Sequence, residues 1–315
     1  MEIKRQIETL FCGRLRRALE QADIDYEGLQ EIRMRVYQPL IFRNCGKEYY
    51  LKENGILTGD CAQAICPTSK ELQETLGIAC GHSGYAFEEE LRKGYITVRG
   101  GHRIGVVGQA VMEEDNVRTL KYISGLNIRV AHWIRGCAEN WKHYFYSKGS
   151  PCHMLVISPP GCGKTTILRD LVWIYSEGDG KHLPVNVGVA DERSEIGGFY
   201  RGEPAYPLGK RTDVLGDCPK ATAMEMLLRS MAPEVLAVDE IGVQDVAAVE
   251  NALRSGCKIL ATFHGTDVED FKRKPGMASL VSGKIFERYI VLKNKESPGK
   301  IARIYDGNFE VLWEE

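Results

Sequence analysis

The chain reads as an α/β protein: a mostly parallel sheet flanked by helices, preceded by a mixed α/β domain. Three observations predict this. Beyond Pro151, short apolar runs alternate with helical stretches, the pattern of a parallel sheet. One of these runs leads through a glycine loop into a helix. Before residue 136 the pattern changes to alternating strands and a glycine-paired hairpin. These observations set the expected division: an accessory domain at 1–138, a linker at 139–150 and a second domain at 151–315.

Element by element, residues 1–22 place Ile3, Ile7, Leu10, Phe11, Leu15 and Leu19 on one side of an amphipathic helix. Such a helix packs on its own domain or lies on a membrane surface. Glu31 to Val36 alternates like a half-exposed strand, with further strands at Pro39 to Phe42 and near Tyr49 to Leu51. Residues 68–76 read as a helix capped by Thr68 or Ser69. Gly94 to Gly108 is a hairpin around Gly100 and Gly101, and Ser124 to Val130 is one more strand. A short helix and a Lys-Gly-Ser connector fill 136–150. The parallel strands are Met154 to Ile157, Val185 to Ala190, Val235 to Val238 and Lys258 to Thr262. Tyr289 to Lys293 and Ile301 to Tyr305 close the chain as an antiparallel edge pair.

The strand–loop–helix unit is Ser158-Pro159-Pro160-Gly161-Cys162-Gly163-Lys164-Thr165-Thr166. It follows the phosphate-binding pattern G-x-x-x-x-G-K-T, with Ser158 in the place of the first glycine. Backbone N–H groups at a helix start carry partial positive charge, so residues Pro160 to Thr166 are predicted to cradle phosphates. Lys164 would reach the β- and γ-phosphates of ATP, and Thr165 would hold Mg²⁺.

Ligands of open α/β sheets bind at the carboxyl ends of strands, and the other strands also end in reactive groups. Val238-Asp239-Glu240 reads as the second nucleotide motif: Asp239 for Mg²⁺ and Glu240 for the attacking water. Ala190-Asp191-Glu192 forms a second acidic box, with Glu192 a further catalytic candidate. Thr262 and His264 are placed to sense the γ-phosphate, and Arg229 to act within the subunit. Arg99, Arg103 and Arg129 are candidates to complete a neighbour's site, because phosphoryl transfer develops charge that an arginine stabilises. Asp239-Glu240-Ile241-Gly242 also matches a GTPase motif, but Asn294-Lys295-Glu296-Ser297 lacks the aspartate that reads guanine.

Bulk properties exclude other classes. The 315 residues are 43% hydrophobic and 27% charged, with net charge −2, so no global basic field suggests a nucleic-acid binder. No apolar run reaches membrane-spanning length and no signal peptide is evident, which predicts a cytoplasmic protein that meets a membrane through a partner. Ten scattered cysteines read as buried small hydrophobes of a reducing compartment. Cys61, Cys66, Cys80 and His82 have poor spacing for zinc.

The order of boxes, ending in Ala261-Thr262-Phe263-His264, resembles the secretion ATPases of type II and type IV systems and retraction pili. These usually carry Gly-Glu where this chain has Asp239-Glu240, which leaves the division of labour between the two acids open. A resemblance along nearly the whole chain is to the stage III sporulation protein AA family. It rests on Glu31-Ile32-Arg33-Met34-Arg35, Gly94-Tyr95-Ile96-Thr97, Ser124 to Arg129, Asp191 to Ile196, Arg211 to Leu215 and Arg229 to Glu234. The resemblance implies a RecA-like Mg²⁺-dependent ATPase working as a ring hexamer. Its place would be the mother-cell cytoplasm, as motor of a secretion-like channel with a membrane-protein partner. The same core drives nucleic-acid translocation, the rival reading, and a nucleotide-locked scaffold is a third.

Overall fold

The computed structural model describes residues 2–81, 94–113, 116–200, 202–293 and 297–315. The chain divides into two compact units, one of residues 1–132 and 198–205, the other of 133–197 and 206–315.

The first unit carries a seven-stranded sheet in the order β4-β3-β2-β1-β7-β6-β5. Its strands are β1 (Leu29–Arg35), β2 (Ile41–Asn44), β3 (Lys47–Leu51), β4 (Leu57–Thr58), β5 (Tyr95–Val98), β6 (His102–Glu113) and β7 (Asn116–Arg129). All neighbours pair antiparallel. Alternation decides its two faces: Ile32, Met34, Phe42, Ile104 and Ile128 enter the core, while Arg43, Glu31, Arg129 and Arg103 lie in register across four strands. The expected single N-terminal helix is two, α1 (Glu2–Glu8) and α2 (Gly13–Gln21). Gly13 at φ 55° turns the chain between them, in a region that glycine enters without steric cost. Ile7, Leu10, Phe11, Leu15 and Leu19 of this segment are buried in the unit's own core. Helix α3 (Ser69–Ala79) starts with a capping box, Thr68 and Glu71 each satisfying the other's backbone N–H.

The second unit opens on a 3₁₀ turn (Glu139–Tyr144) and a two-stranded ribbon, β8 (Tyr146–Ser147) with β9 (Ser150–Pro151). Its sheet has the order β12-β11-β13-β14-β10-β15-β16-β17. The strands are β10 (Met154–Ser158), β11 (Val187–Asp191), β12 (Thr212–Gly216), β13 (Val235–Val238), β14 (Lys258–His264), β15 (Arg288–Leu292), β16 (Ile301–Asp306) and β17 (Val311–Glu314). From β12 to β15 every pairing is parallel; β15, β16 and β17 pair antiparallel. Strands β10, β11 and β13 are buried along their whole length, which is why they read as unbroken apolar runs. The helices are α4 (Lys164–Glu177), α5 (Lys220–Ser230), α6 (Val246–Arg254), α7 (Val268–Arg273) and α8 (Ala278–Ser282). Because β10, β11, β13 and β14 run parallel, Ser158, Asp191, Val238 and His264 finish at one edge of the sheet.

Candidate active site

The glycine loop leaves β10 at Ser158 and enters α4 at Lys164. Ser158 is extended and buried, so a side chain at this position meets no backbone penalty where the usual pattern has glycine. Gly161 and Gly163 are left-handed, at φ 78° and 94°. Gly163 is also crowded: a Cβ there would stand 2.3 Å from the backbone N of Gly299. Gly299 N donates to the Cys162 carbonyl at 2.8 Å, so the β15–β16 connection braces the loop.

Lys164 is buried, and its Nζ donates to the carbonyls of Ser158 (3.1 Å) and Pro159 (3.3 Å). The same ammonium lies 3.5 Å from Glu240 Oε1. Thr165 Oγ1 donates to Asp239 Oδ2 at 2.9 Å. Thr262, fully buried on β14, donates its hydroxyl to Asp239 Oδ1 and accepts from Glu240 N at 2.8 Å. One threonine therefore fixes both acids. Asp239 sits deep in the protein, and that burial pushes its carboxyl above the ordinary range; the hydrogen bonds from Thr262 and Thr165 pull the other way. The hydroxyl and carboxylate, hard oxygens tied to each other beside the loop lysine, fit a Mg²⁺ that takes most of its remaining ligands from phosphates and water.

The acidic box divides its work. Asp191 accepts from the N–H groups of Glu195 (2.8 Å), Ile196 (3.0 Å) and Gly197 (2.8 Å), so it organises the following loop. Arg169 braces the same loop, donating to the carbonyl of Ile196 at 3.1 Å and lying over the Tyr206 ring. Glu192 is half-exposed, 3.8 Å from Lys220 Nζ, and Arg193 Nη1 lies 3.8 Å from Glu240 Oε2. A small cleft is walled by Asp191, Glu192, Arg193, Lys220, Asp239 and Glu240.

Thus Lys164, Thr165, Asp239 and Glu240 come together, with Glu192 on the same cleft. Thr262 is a brace between the two acids rather than a free sensor. His264 stands exposed at the end of β14, paired in register with Ser158. Arg229 is not brought to the site: it is exposed near the C-terminal end of α5 and lies 3.6 Å from Glu225, whereas Lys220 at the other end of that helix reaches Glu240. Arg99, Arg103 and Arg129 belong to the first unit. Arg103 and Arg129 are cross-strand partners, and Arg99 is exposed 3.8 Å from Glu203. Sequence reasoning missed Lys220 and Arg169, which have no local motif and meet their partners only through the fold; Arg193 stood beside the acidic box without an assigned role. Asn294, Lys295 and Glu296 of the GTPase comparison lie outside the described residues, as does His82. Among the described residues no three metal-ligating side chains gather, so Cys61, Cys66 and Cys80 form no such group.

The fold and site define a class, α/β proteins with a glycine loop between a parallel strand and a helix, and two solved ATPases share that fold. Superposition gives a TM-score of 0.58 with the ATPase DotB of Yersinia pseudotuberculosis, at 10% identity over 94% of this chain and 80% of that one. The ATPase DotB of Legionella pneumophila gives 0.54, at 12% identity over 93% and 79%. Residues 1–312 match the family described as sporulation stage III, protein AA, and the chain belongs to that family. Stage III sporulation protein AA of Bacillus subtilis (strain 168) is 39% identical over 285 residues, 90% of this chain and 89% of that protein.

Proposed function

We propose that this chain is a Mg²⁺-dependent ATPase that powers a secretion-like channel during sporulation. The observation that carries the reading is the convergence of Lys164, Thr165, Asp239 and Glu240 at one sheet edge. Lys164 and the loop amides bind the phosphates. Thr165 and Asp239 would hold Mg²⁺, which neutralises charge on the β- and γ-phosphates when bound. Glu240 orients a water and takes its proton as the water oxygen bonds the γ-phosphorus and the bond to the bridging oxygen breaks; ADP and phosphate leave. Two ATPases of the same fold and a relative named for sporulation support the wider role. The proposal includes a cytoplasmic ring assembly with a membrane-protein partner, as the resemblance implies. Among the described residues no helix is long and apolar enough to cross a membrane.

Lys164→Ala is expected to abolish nucleotide binding measured by calorimetry, and unchanged affinity would refute the loop assignment. Glu240→Gln is expected to bind nucleotide normally and lose turnover by about a hundredfold or more; wild-type turnover would move the base to Glu192. Solution mass with an ATP analogue tests the ring, and a monomer would contradict it.

A further inference from the structure

Lys220 is a cation that no motif marks and that the fold delivers to the acids. It opens α5 after Pro219, with its side chain 12% exposed. Its Nζ donates to the main-chain carbonyl of Glu240 at 2.5 Å, and lies 3.4 Å from Asp245 Oδ2 and 3.8 Å from Glu192 Oε2. Asp245 is itself buried, and its Oδ2 accepts from Gly242 N at 2.8 Å.

The held carbonyl belongs to a residue with an unusual backbone. Glu240 is left-handed at φ 49°, a conformation that disfavours any residue with a Cβ and persists only where surroundings enforce it. The amide of Glu240 is fixed by Thr262 Oγ1, and that of Ile241 by the Thr262 carbonyl at 2.9 Å. Lys220 supplies the restraint from α5, on the opposite side of the peptide. Without it, residue 240 can relax towards the right-handed region, and the carboxylate would swing with it.

We propose that Lys220 is a positioning residue for hydrolysis. Its ammonium grips the Glu240 carbonyl, holds that residue left-handed and so aims the carboxylate across the cleft, while balancing the charge of Asp245 and Glu192. The two lysines divide the work: Lys164 serves the phosphates, and Lys220 serves the protein group that orients water. The catalytic consequence rests on the ATPase reading, whereas the hold on the backbone stands independently of it.

Three variants test this. Lys220→Met removes the grip. Lys220→Met with Asp245→Asn removes it without stranding a buried carboxylate, so a folding failure of the single variant leaves the question answerable. Lys220→Arg restores the charge. The first readout is hydrogen exchange of nucleotide-free protein at the amides of 240–242. Exchange is expected to rise about tenfold in both Met variants and to return towards wild type with Arg. The second readout splits binding from turnover: affinity for an ATP analogue stays within about threefold, while phosphate release falls about tenfold to a hundredfold. Unchanged exchange at these amides would overturn the proposal, as would affinity falling in step with turnover. Wild-type protein that releases no phosphate would refute the ATPase reading and its catalytic consequence, and the exchange result would still decide whether Lys220 holds Glu240.

Discussion

Gly163→Ala probes the brace behind the glycine loop. Gly163 is left-handed at φ 94°, where a Cβ costs about 1–2 kcal/mol. The new methyl would stand 2.3 Å from Gly299 N, 2.9 Å from Gly299 Cα and 3.1 Å from the Pro298 carbonyl carbon. All three are backbone atoms, so no side chain can rotate away and the turn must retreat. Retreat gives up the 2.8 Å bond from Gly299 N to the Cys162 carbonyl, worth about 1 kcal/mol. The sum is about 2–3 kcal/mol, a factor of about 30 to 150 in an equilibrium constant. Gly256→Ala is the control: it is also left-handed, at φ 78°, but has nothing within 4 Å of the added methyl. All four tryptophans, Trp133, Trp141, Trp173 and Trp313, lie in the second unit, so their emission in urea follows that unit alone. Gly163→Ala should lower the midpoint and weaken nucleotide binding, the two effects together amounting to about 2–3 kcal/mol as the strain divides between fold and loop. Gly256→Ala should lower the midpoint by the left-handed penalty alone, about 1–2 kcal/mol, and leave affinity intact. Equal effects of the two substitutions on nucleotide affinity would refute the brace.

Two further outcomes are expected. Thr262→Val keeps the shape of a fully buried side chain but strands the Glu240 amide and removes a donor to Asp239; turnover should fall about tenfold or more, with the Asp239 carboxyl pushed higher still. Wild-type turnover would show that the brace is dispensable. His153 is half-buried, its Nδ1 accepts from Ile259 N at 3.1 Å, and desolvation pushes its pKa down to about 4. A lowered histidine pKa contributes stability that is present above about pH 6.5 and lost as pH falls through about 4, because only the unfolded chain protonates in between. Unfolding free energy from tryptophan emission should therefore fall by about 1.3 kcal/mol per pH unit from this residue, and His153→Asn should flatten that slope; an unaltered slope in the variant would contradict the assignment.

Much of the second unit was legible because fully buried parallel strands leave apolar runs, and Met154 to Ile157 or Val235 to Val238 can hardly be read otherwise. Strand β12 was not, since each of its residues is only half-buried and Thr212-Asp213 carries no apolar signal. β17 likewise lies at an edge and is mostly exposed. The break between α1 and α2 is invisible to helical periodicity, since the apolar residues keep their phase across Gly13. At the site, Lys164 and Asp239 announce themselves by local spacing. The acids of the second box look alike in sequence, yet Asp191 spends its carboxylate on three backbone N–H groups while Glu192 faces the cleft. Lys220 and Arg193 meet Glu240 only because β11 and β13 are neighbours in the sheet, a fact of topology that no window of residues contains.

The central claim, that Lys164, Asp239 and Glu240 serve a single triphosphate, is tested most directly by a crystal structure with a non-hydrolysable ATP analogue and Mg²⁺. The account predicts the Lys164 ammonium hydrogen-bonded to the terminal phosphate, the metal beside Thr165 and Asp239, and the Glu240 carboxylate facing a water in line with the γ-phosphorus. An analogue bound away from the loop, or a terminal phosphate out of reach of both acids, would contradict it.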